Sequence, residues 1–370
     1  MNRLILPLVD SLVDAYKGPS FSNVKIIGVQ HILETTHAMF QALYPLGLRP
    51  ENISILGKCY SSCKEVYDEM LADGIDVCPG SFAYTSHRSF DDHYTEIMHN
   101  FLSTRVKGFS EKPYDCIIVL DDGGKCISCL SEESLQGVPV IAIEQTSSGY
   151  EAIRNCNLPF SVINVARSPT KLTFETPLIA QAAAERLYIS LEKLGLNVKE
   201  ALIIGAGALG KVLQKRLSPG IKVAMYDINK SLSDFENDIS DIIENFSLII
   251  GCTGKTSIPH QFHSFLSPGT VLVSVSSSDR EFDAHHLRKR IRETQRCHQD
   301  LAIDDLLLIN SGFPVNFDGD RENIEPERIQ LTIALITAGI LQGRVSHGCN
   351  DGIIPLDSYF ENKIANEFIN

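Results

Sequence analysis

"ALIIGAGALGKVLQKRL" (Ala201–Leu217) sets a short aliphatic run directly before a glycine-rich turn that opens into a helical stretch. That order of strand, turn and helix is the start of a βαβ unit. Gly205, Gly207 and Gly210 allow a tight turn and a close approach of the backbone to a pyrophosphate, whose charge then meets the helix N-terminus. Asp227 ends the next strand, "VAMYD", 17 residues past Gly210. An acid there accepts both ribose hydroxyls of NAD and repels a 2′-phosphate. Gly205, Gly207, Gly210 and Asp227 are therefore expected to bind NAD; the alternative is a Rossmann-like domain that has lost its ligand.

Strands and helices alternate outward from this stretch in both directions. Before it, "NVKIIGVQ", "NISILGK", "DCIIVLDD", "VPVIAIEQ" and "FSVINVA" predict buried strands, with helical periodicity in "HILETTHAMFQALYPLGL". After it come "KVAMYD", "SLIIGCTG", "TVLVSVSS" and "DLLLINSG". Between the two series, Thr176 and Pro177 predict a helix start and Gly195 its end. The fold class expected is α/β, with two doubly wound parallel-sheet domains, the second a Rossmann NAD-binding domain. The boundaries expected are 1–180 for a substrate-binding domain, with a return helix at about 325–345, 181–323 for the NAD-binding domain, and 346–370 for a tail.

The chain has 370 residues, 44% hydrophobic and 21% charged, enough to bury two cores. A net charge of −13 argues against a nucleic-acid groove or an anionic membrane as the main partner. No continuous run reaches the ~18–20 apolar residues of a membrane span, and Asp10 and Asp14 interrupt the first aliphatic stretch. A cytoplasmic protein is expected, and the ten cysteines fit reduced thiols. Cys59/Cys63 and Cys126/Cys129 sit on predicted loops. They are either a four-thiolate zinc set or thiols that never meet, and no metal is expected.

"CIIVLDDGGKC" (Cys116–Cys126) ends an aliphatic strand on Asp121 and Asp122 and turns on two glycines. The acids fit a pocket at the strand end, a helix cap or a solvated turn. An ordered set of stretches runs from about Val29 to Ile340: "VQHILETT", "LDDGGK", "IEQTSSG", "INVARSPTKLTFET", "GAGALG", "CTG" and "FPVNFDG". In that order and spacing the chain resembles adenosylhomocysteinase. The resemblance implies a substrate domain closing over an NAD domain. It also implies oxidation of a ribose 3′-hydroxyl, elimination of a 5′-thiol, addition of water, and reduction of the ketone with NAD retained.

By this resemblance Asp122 is the carboxylate at the sugar and His31 its partner in proton transfer. Lys171 of "SPTK" is the base for the 3′-hydroxyl. Thr146, Ser147 and Ser148 hold the nicotinamide ribose, with Thr253 of "GCTGK" and Asn316 of "FPVNFDG" also at the cofactor. Taken singly, His31 reads equally as a helix cap or surface residue, and Lys171 as a solvated loop lysine. The chain departs from the family at several points. Gln145 stands where an acid grips the 3′-hydroxyl, Glu175 is one methylene longer than the family's aspartate, and Thr176 and Ala180 replace an asparagine and a cysteine. Ser277 and Asn323 replace histidines, and Leu33 and Thr35 alter the adenine pocket. The family's C-terminal lysine–tyrosine signature has no counterpart in "SYFENKIANEFIN".

The function expected is an adenosylhomocysteinase-like, NAD-dependent enzyme that oxidises a secondary alcohol of a nucleoside- or sugar-like substrate. Elimination or hydrolysis either follows or does not. The catalytic set is Lys171, His31, Asp122, Glu175 and Gln145. The partners expected are a small-molecule substrate and copies of the same chain in a homo-oligomer, with neither nucleic acid nor membrane. The alternatives are a simple dehydrogenase with net cofactor turnover and a non-catalytic NAD- or nucleoside-binding regulator.

Overall fold

A computed structural model describes residues 3–107, 114–131, 137–291, 296–346 and 352–369. They divide into two compact units. Unit 1 is Met1–Ala83, Thr95–Glu175 and Ile324–Asn370; unit 2 is Tyr84–Tyr94 and Thr176–Asn323.

Unit 1 is built on seven parallel strands. In chain order these are β1 (Val24–Val29), β2 (Ile53–Leu56), β3 (Asp76–Val77), β4 (Cys116–Asp121), β5 (Val140–Glu144), β6 (Ser161–Asn164) and β13 (Ile353–Pro355), the last taken from near the end of the chain. Their order across the sheet is β13-β6-β5-β4-β1-β2-β3. Residues of β1, β2, β4 and β5 are buried throughout. This is why these strands read as continuous aliphatic runs rather than alternating ones. Helix α10 (Pro326–Ser346) lies in this core. At Gly339 and Gly343 an added Cβ would stand 3.1 Å from Ile143 and Ile141, so small residues set how closely the helix meets β5. By length and composition α10 could span a membrane, but 72% of its most apolar 18-residue stretch is buried inside the protein. Each fully buried Leu or Ile contributes about 1.5–3 kcal/mol, and α10 supplies several.

Unit 2 carries β7 (Glu200–Ile204), β8 (Lys222–Tyr226), β9 (Leu248–Gly251), β10 (Val271–Ser274), β11 (Leu301–Ile303) and β12 (Leu306–Leu308). The sheet order is β11-β12-β10-β9-β7-β8. The pairs are parallel except β11 with β12, which form an antiparallel hairpin at the edge. Residues 84–94 join this unit through ion pairs and ring contacts. Arg280 grips Asp91 with two nitrogens at 3.0 and 2.8 Å, and Phe90 meets Phe313 edge-on at 5.8 Å.

The fold class is as expected, two parallel-dominated sheets with helices, the second carrying one antiparallel pair at its edge. Several expectations need correction. The division falls at Glu175/Thr176 rather than 180/181, and 84–94 belongs with the second unit. The helix predicted from Thr176 begins earlier, as α7 (Pro169–Lys193), with Pro177 inside it. Ser168 is the reason: its hydroxyl accepts the Lys171 N–H at 3.2 Å, and Pro169 occupies the first helical position. The tail is an integral part of unit 1, because β13 pairs with β6 in parallel and α11 (Ser358–Ile369) follows it; residues 347–351 and 370 lie outside the described residues. Cys126 and Cys129 are not on a loop but on α5 (Lys125–Ser131), and Cys59 opens a 3₁₀ turn. These three thiols and that of Cys63 are buried.

Candidate functional site

In unit 1 the strand order reverses between β1 and β4. The chain steps from β1 to β2 and β3 on one side, and from β4 to β5 and β6 on the other. At such a switch point the loops leaving the carboxyl ends of the strands part and leave a crevice for a ligand. Gln30 and His31 follow β1 there, Lys58 follows β2, Asp122 follows β4, and Gln145 follows β5.

These side chains form one network centred on Asp122. Its Oδ1 is paired with the Lys58 ammonium, and its Oδ2 lies 3.2 Å from His31 Nε2. Gln145 Nε2 donates to Oδ2 at 2.8 Å, and Gln30 Nε2 donates to Gln145 Oε1 at 2.7 Å. His31 Nδ1 meets the Ser61 hydroxyl at 2.6 Å. Asp122 and Lys58 are both buried. Burial alone would raise the Asp122 pKa, but Lys58 and His31 outweigh it and hold the carboxyl well below its ordinary value. Burial likewise pulls Lys58 down, and Asp122 reverses that and raises it. An ionised carboxylate only accepts, so His31 presents a protonated Nε2 to Asp122 and, when neutral, an accepting Nδ1 to Ser61.

Directly beneath, Asp121 and Glu144 are register partners on β4 and β5. Asp121 Oδ2 accepts the Ile127 N–H at 2.8 Å, and Glu144 Oε1 accepts from the Thr146 N–H at 2.7 Å and its hydroxyl at 2.6 Å. Burial, with the neighbouring Asp122 adding to it, pushes Asp121 up to about 7 against the pull of Lys58 and its backbone N–H donors, and burial with Asp121 adding to it pushes Glu144 well above the usual carboxylate range. Thr146 in turn caps α6 (Ser147–Ile153), its hydroxyl accepting the Gly149 N–H at 3.0 Å. Ser147 and Ser148 are exposed beside it.

Lys171 and Glu175 form a second pair one turn apart on α7, which follows β6. Lys171 is buried, and Glu175 also accepts the Thr332 hydroxyl at 2.9 Å. The lysine therefore sits in a helix, not in a solvated loop. Glu361 of α11 accepts the Ser168 hydroxyl at the start of that helix, so the end of the chain braces Lys171.

Unit 2 has its own switch point, between β7 and β9. Gly205 adopts φ +109°, and a Cβ there would come within 2.9 Å of the Cys252 carbonyl. A Cβ on Gly210 would stand 2.0 Å from the Gly205 carbonyl oxygen, so only glycine lets α8 (Ala208–Leu217) pack so closely on the turn. Around Gly207, the N-cap of α8, a Cβ would meet nothing within 4 Å, which leaves the backbone open to a ligand. Asp227 accepts the Ala206 N–H and the Asn229 N–H, each at 2.8 Å, tying the glycine turn to the end of β8. These features fit a pyrophosphate at the helix N-terminus and a ribose at Asp227. Thr253 and Gly254 are held by Glu281, whose carboxylate accepts the two N–H groups at 2.6 and 2.7 Å and the Thr253 hydroxyl at 2.8 Å. Asn316 is buried close to the Ser274–Pro314 bridge.

Sequence reasoning missed Lys58, Gln30, Glu144 and Glu281. Lys58 in "ILGKC" had one available signal, a cation placed immediately after a buried strand.

No protein-family model matches the chain. An adenosylhomocysteinase of Acinetobacter baylyi is 22% identical over 334 residues, 80% of this chain and 68% of that protein. Among solved structures, a dipicolinate synthase chain from Bacillus halodurans is 11% identical with a TM-score of 0.43, covering 89% of this chain and 100% of that one. NAD+-bound 3-phosphoglycerate dehydrogenase of Entamoeba histolytica is 14% identical with a TM-score of 0.39, covering 87% and 96%. Uncharacterized protein Rv0104 of Mycobacterium tuberculosis is 41% identical over 350 residues, 92% of this chain and 68% of that protein. With that identity over that span, the chain belongs to the family of Rv0104.

Proposed function

We propose that the protein is an NAD-dependent oxidoreductase of the adenosylhomocysteinase-like type, acting on a secondary alcohol of a nucleoside- or sugar-like substrate. The observation that carries this reading is the Asp122 network at a strand-order reversal, where His31 is held against a carboxylate kept ionised by Lys58. In this reading Lys171 takes the proton of the alcohol, and Glu175 holds the resulting ammonium. His31 moves protons at the neighbouring carbon, its imidazolium stabilised by Asp122. Gly205, Gly207, Gly210, Asp227, Thr253 and Asn316 would hold NAD. The cofactor's contribution, when bound, is to accept a hydride from the carbinol carbon.

Gln145 argues against S-adenosylhomocysteine as the substrate. Its amide donates to Asp122 and accepts from Gln30, so it is braced and uncharged. A neutral acceptor holds a hydroxyl about half as strongly as a carboxylate, a loss of ~1–2 kcal/mol, or roughly five- to thirtyfold in affinity.

The test is mass spectrometry of small molecules released from the purified protein, followed by NADH absorbance and thiol release with candidate nucleosides. A released nicotinamide cofactor and a reduced-cofactor signal with a nucleoside are expected, with little thiol from S-adenosylhomocysteine. Ordinary turnover of that compound would overturn the substrate argument. Absence of any NAD binding by calorimetry would overturn the reading as a whole.

A further inference from the structure

Away from the glycine turn, unit 2 gathers two imidazoles and a carboxylate whose ligand atoms lie within 4.8 Å of one another: His260, Asp283 and His286. They arrive from two connections. His260 opens the 3₁₀ segment His260–Phe265 after β9, while Asp283 and His286 flank the start of α9 (Ala284–Arg288). Asp283 adopts φ +43°, a left-handed conformation uncommon outside glycine. Its Oδ2 accepts the His260 N–H at 2.9 Å and lies 3.4 Å from His260 Nδ1. The rings of His260 and His286 are stacked at 4.1 Å with 14° between their planes, which brings their nitrogens side by side. Independently, His286 Nδ1 is buried and has no hydrogen-bond partner among the described residues.

We propose that His260, Asp283 and His286 bind a divalent transition-metal ion of the zinc type. Imidazole and carboxylate ligands hold zinc at about 2.0–2.2 Å, so atoms around one tetrahedral ion stand about 3.3 Å apart. The cluster has to contract by about 1.5 Å at most to reach that spacing. Side-chain rotation suffices, since the side chains of His260 and Asp283 are 54% and 21% exposed. The backbone N–H on Asp283 Oδ2 supplies the orienting bond that metal-bound carboxylates usually have. Three protein ligands leave the fourth position to solvent. Bound there, the ion ties the connection after β9 to the connection before α9. Glu281, which holds Thr253 and Gly254, lies only two residues before Asp283, so the ion would also brace that loop.

Titrating the full chain with Zn²⁺ alone in a non-chelating buffer tests this, beside His260→Ala and His286→Ala. One equivalent bound at micromolar or tighter Kd is expected, weakened at least tenfold in either variant, with circular dichroism of the variants unchanged. Co²⁺ substitution should give the spectrum of a nitrogen and oxygen site without a thiolate band. Zn²⁺ should raise the Tm of the native chain and not that of His260→Ala. Absence of binding, binding that survives both substitutions, or a thiolate spectrum would overturn the proposal.

Discussion

Asp121 and Glu144 face each other across β4 and β5 with no solvent exposure, and each leaves one carboxylate oxygen without a partner among the described residues. Lys58, the nearby cation, is spent on Asp122, and burial prevails at both acids, so the pair keeps a proton at neutral pH. Asp121, pushed up to about 7 by burial, makes a stability contribution that is full below the unfolded pKa near 4 and is lost as pH rises through about 7. The urea midpoint of the native chain should therefore fall between pH 5 and pH 7.5 more than that of Asp121→Asn. Equal slopes in the two proteins would refute the shared proton.

Asp122, one residue on, has the opposite dependence. Burial opposes its ionisation, but Lys58 and His31 win and hold it low, so its contribution is present above pH 4 and is lost as pH falls below that. Lys58→Met leaves this carboxylate buried without its main partner. Breaking a buried pair in this way costs about 3–5 kcal/mol. Chemical denaturation should show that loss, and Asp122→Asn in the same chain should recover part of it. A change below ~1 kcal/mol would mean that solvent reaches the pair.

If NAD occupies the glycine turn, Asp227 should exclude NADP. The nearest lysine in sequence, Lys230, does not neutralise it: its ammonium donates to the Asn237 carbonyl at 2.5 Å and stands 4.6 Å from the Tyr226 ring. NAD should bind on the order of a hundredfold more tightly than NADP, a few kcal/mol, and Asp227→Asn should narrow the gap. Calorimetric titration giving equal affinities in the native chain would remove this role.

Lys171→Ala should leave NAD affinity near its native value and lower the rate of cofactor reduction by ~10²–10⁴-fold, the usual contribution of a positioned base. Glu175→Gln should show a smaller effect. Stopped-flow absorbance with whichever substrate the released ligands identify measures both. An unchanged rate in Lys171→Ala would place the base elsewhere.

The long aliphatic strands and the glycine turn were legible because burial on both faces and a backbone–backbone contact each demand particular residue types. What stayed hidden depended on pairing. β3 and β13 are two and three residues long, too short to show a period. Lys58 became a site residue only because the sheet sets β2 beside β1, and Glu281 only because the chain after β10 folds back to the loop after β9. The start of α7 was misplaced because two proline start signals stand eight residues apart, and only the hydroxyl of Ser168 decides between them. His31, Asp122 and Gln145 share one network. Lys171 and Glu175 meet each other one turn apart on their own helix.

The place of β13 and α10 in unit 1 has a consequence for synthesis. The sheet of unit 1 gains its last strand, and its core gains the buried helix, only from residues translated after the whole of unit 2. A growing chain thus carries an unfinished first sheet, its β6 edge unpaired, through the translation of the 188 residues between Asn164 and Ile353. Unit 2 has all its strands by Leu308 and can settle first. Unit 1, whose first strands precede unit 2, is completed only after it, and during that interval its exposed β6 edge is the segment a chaperone would have most reason to hold.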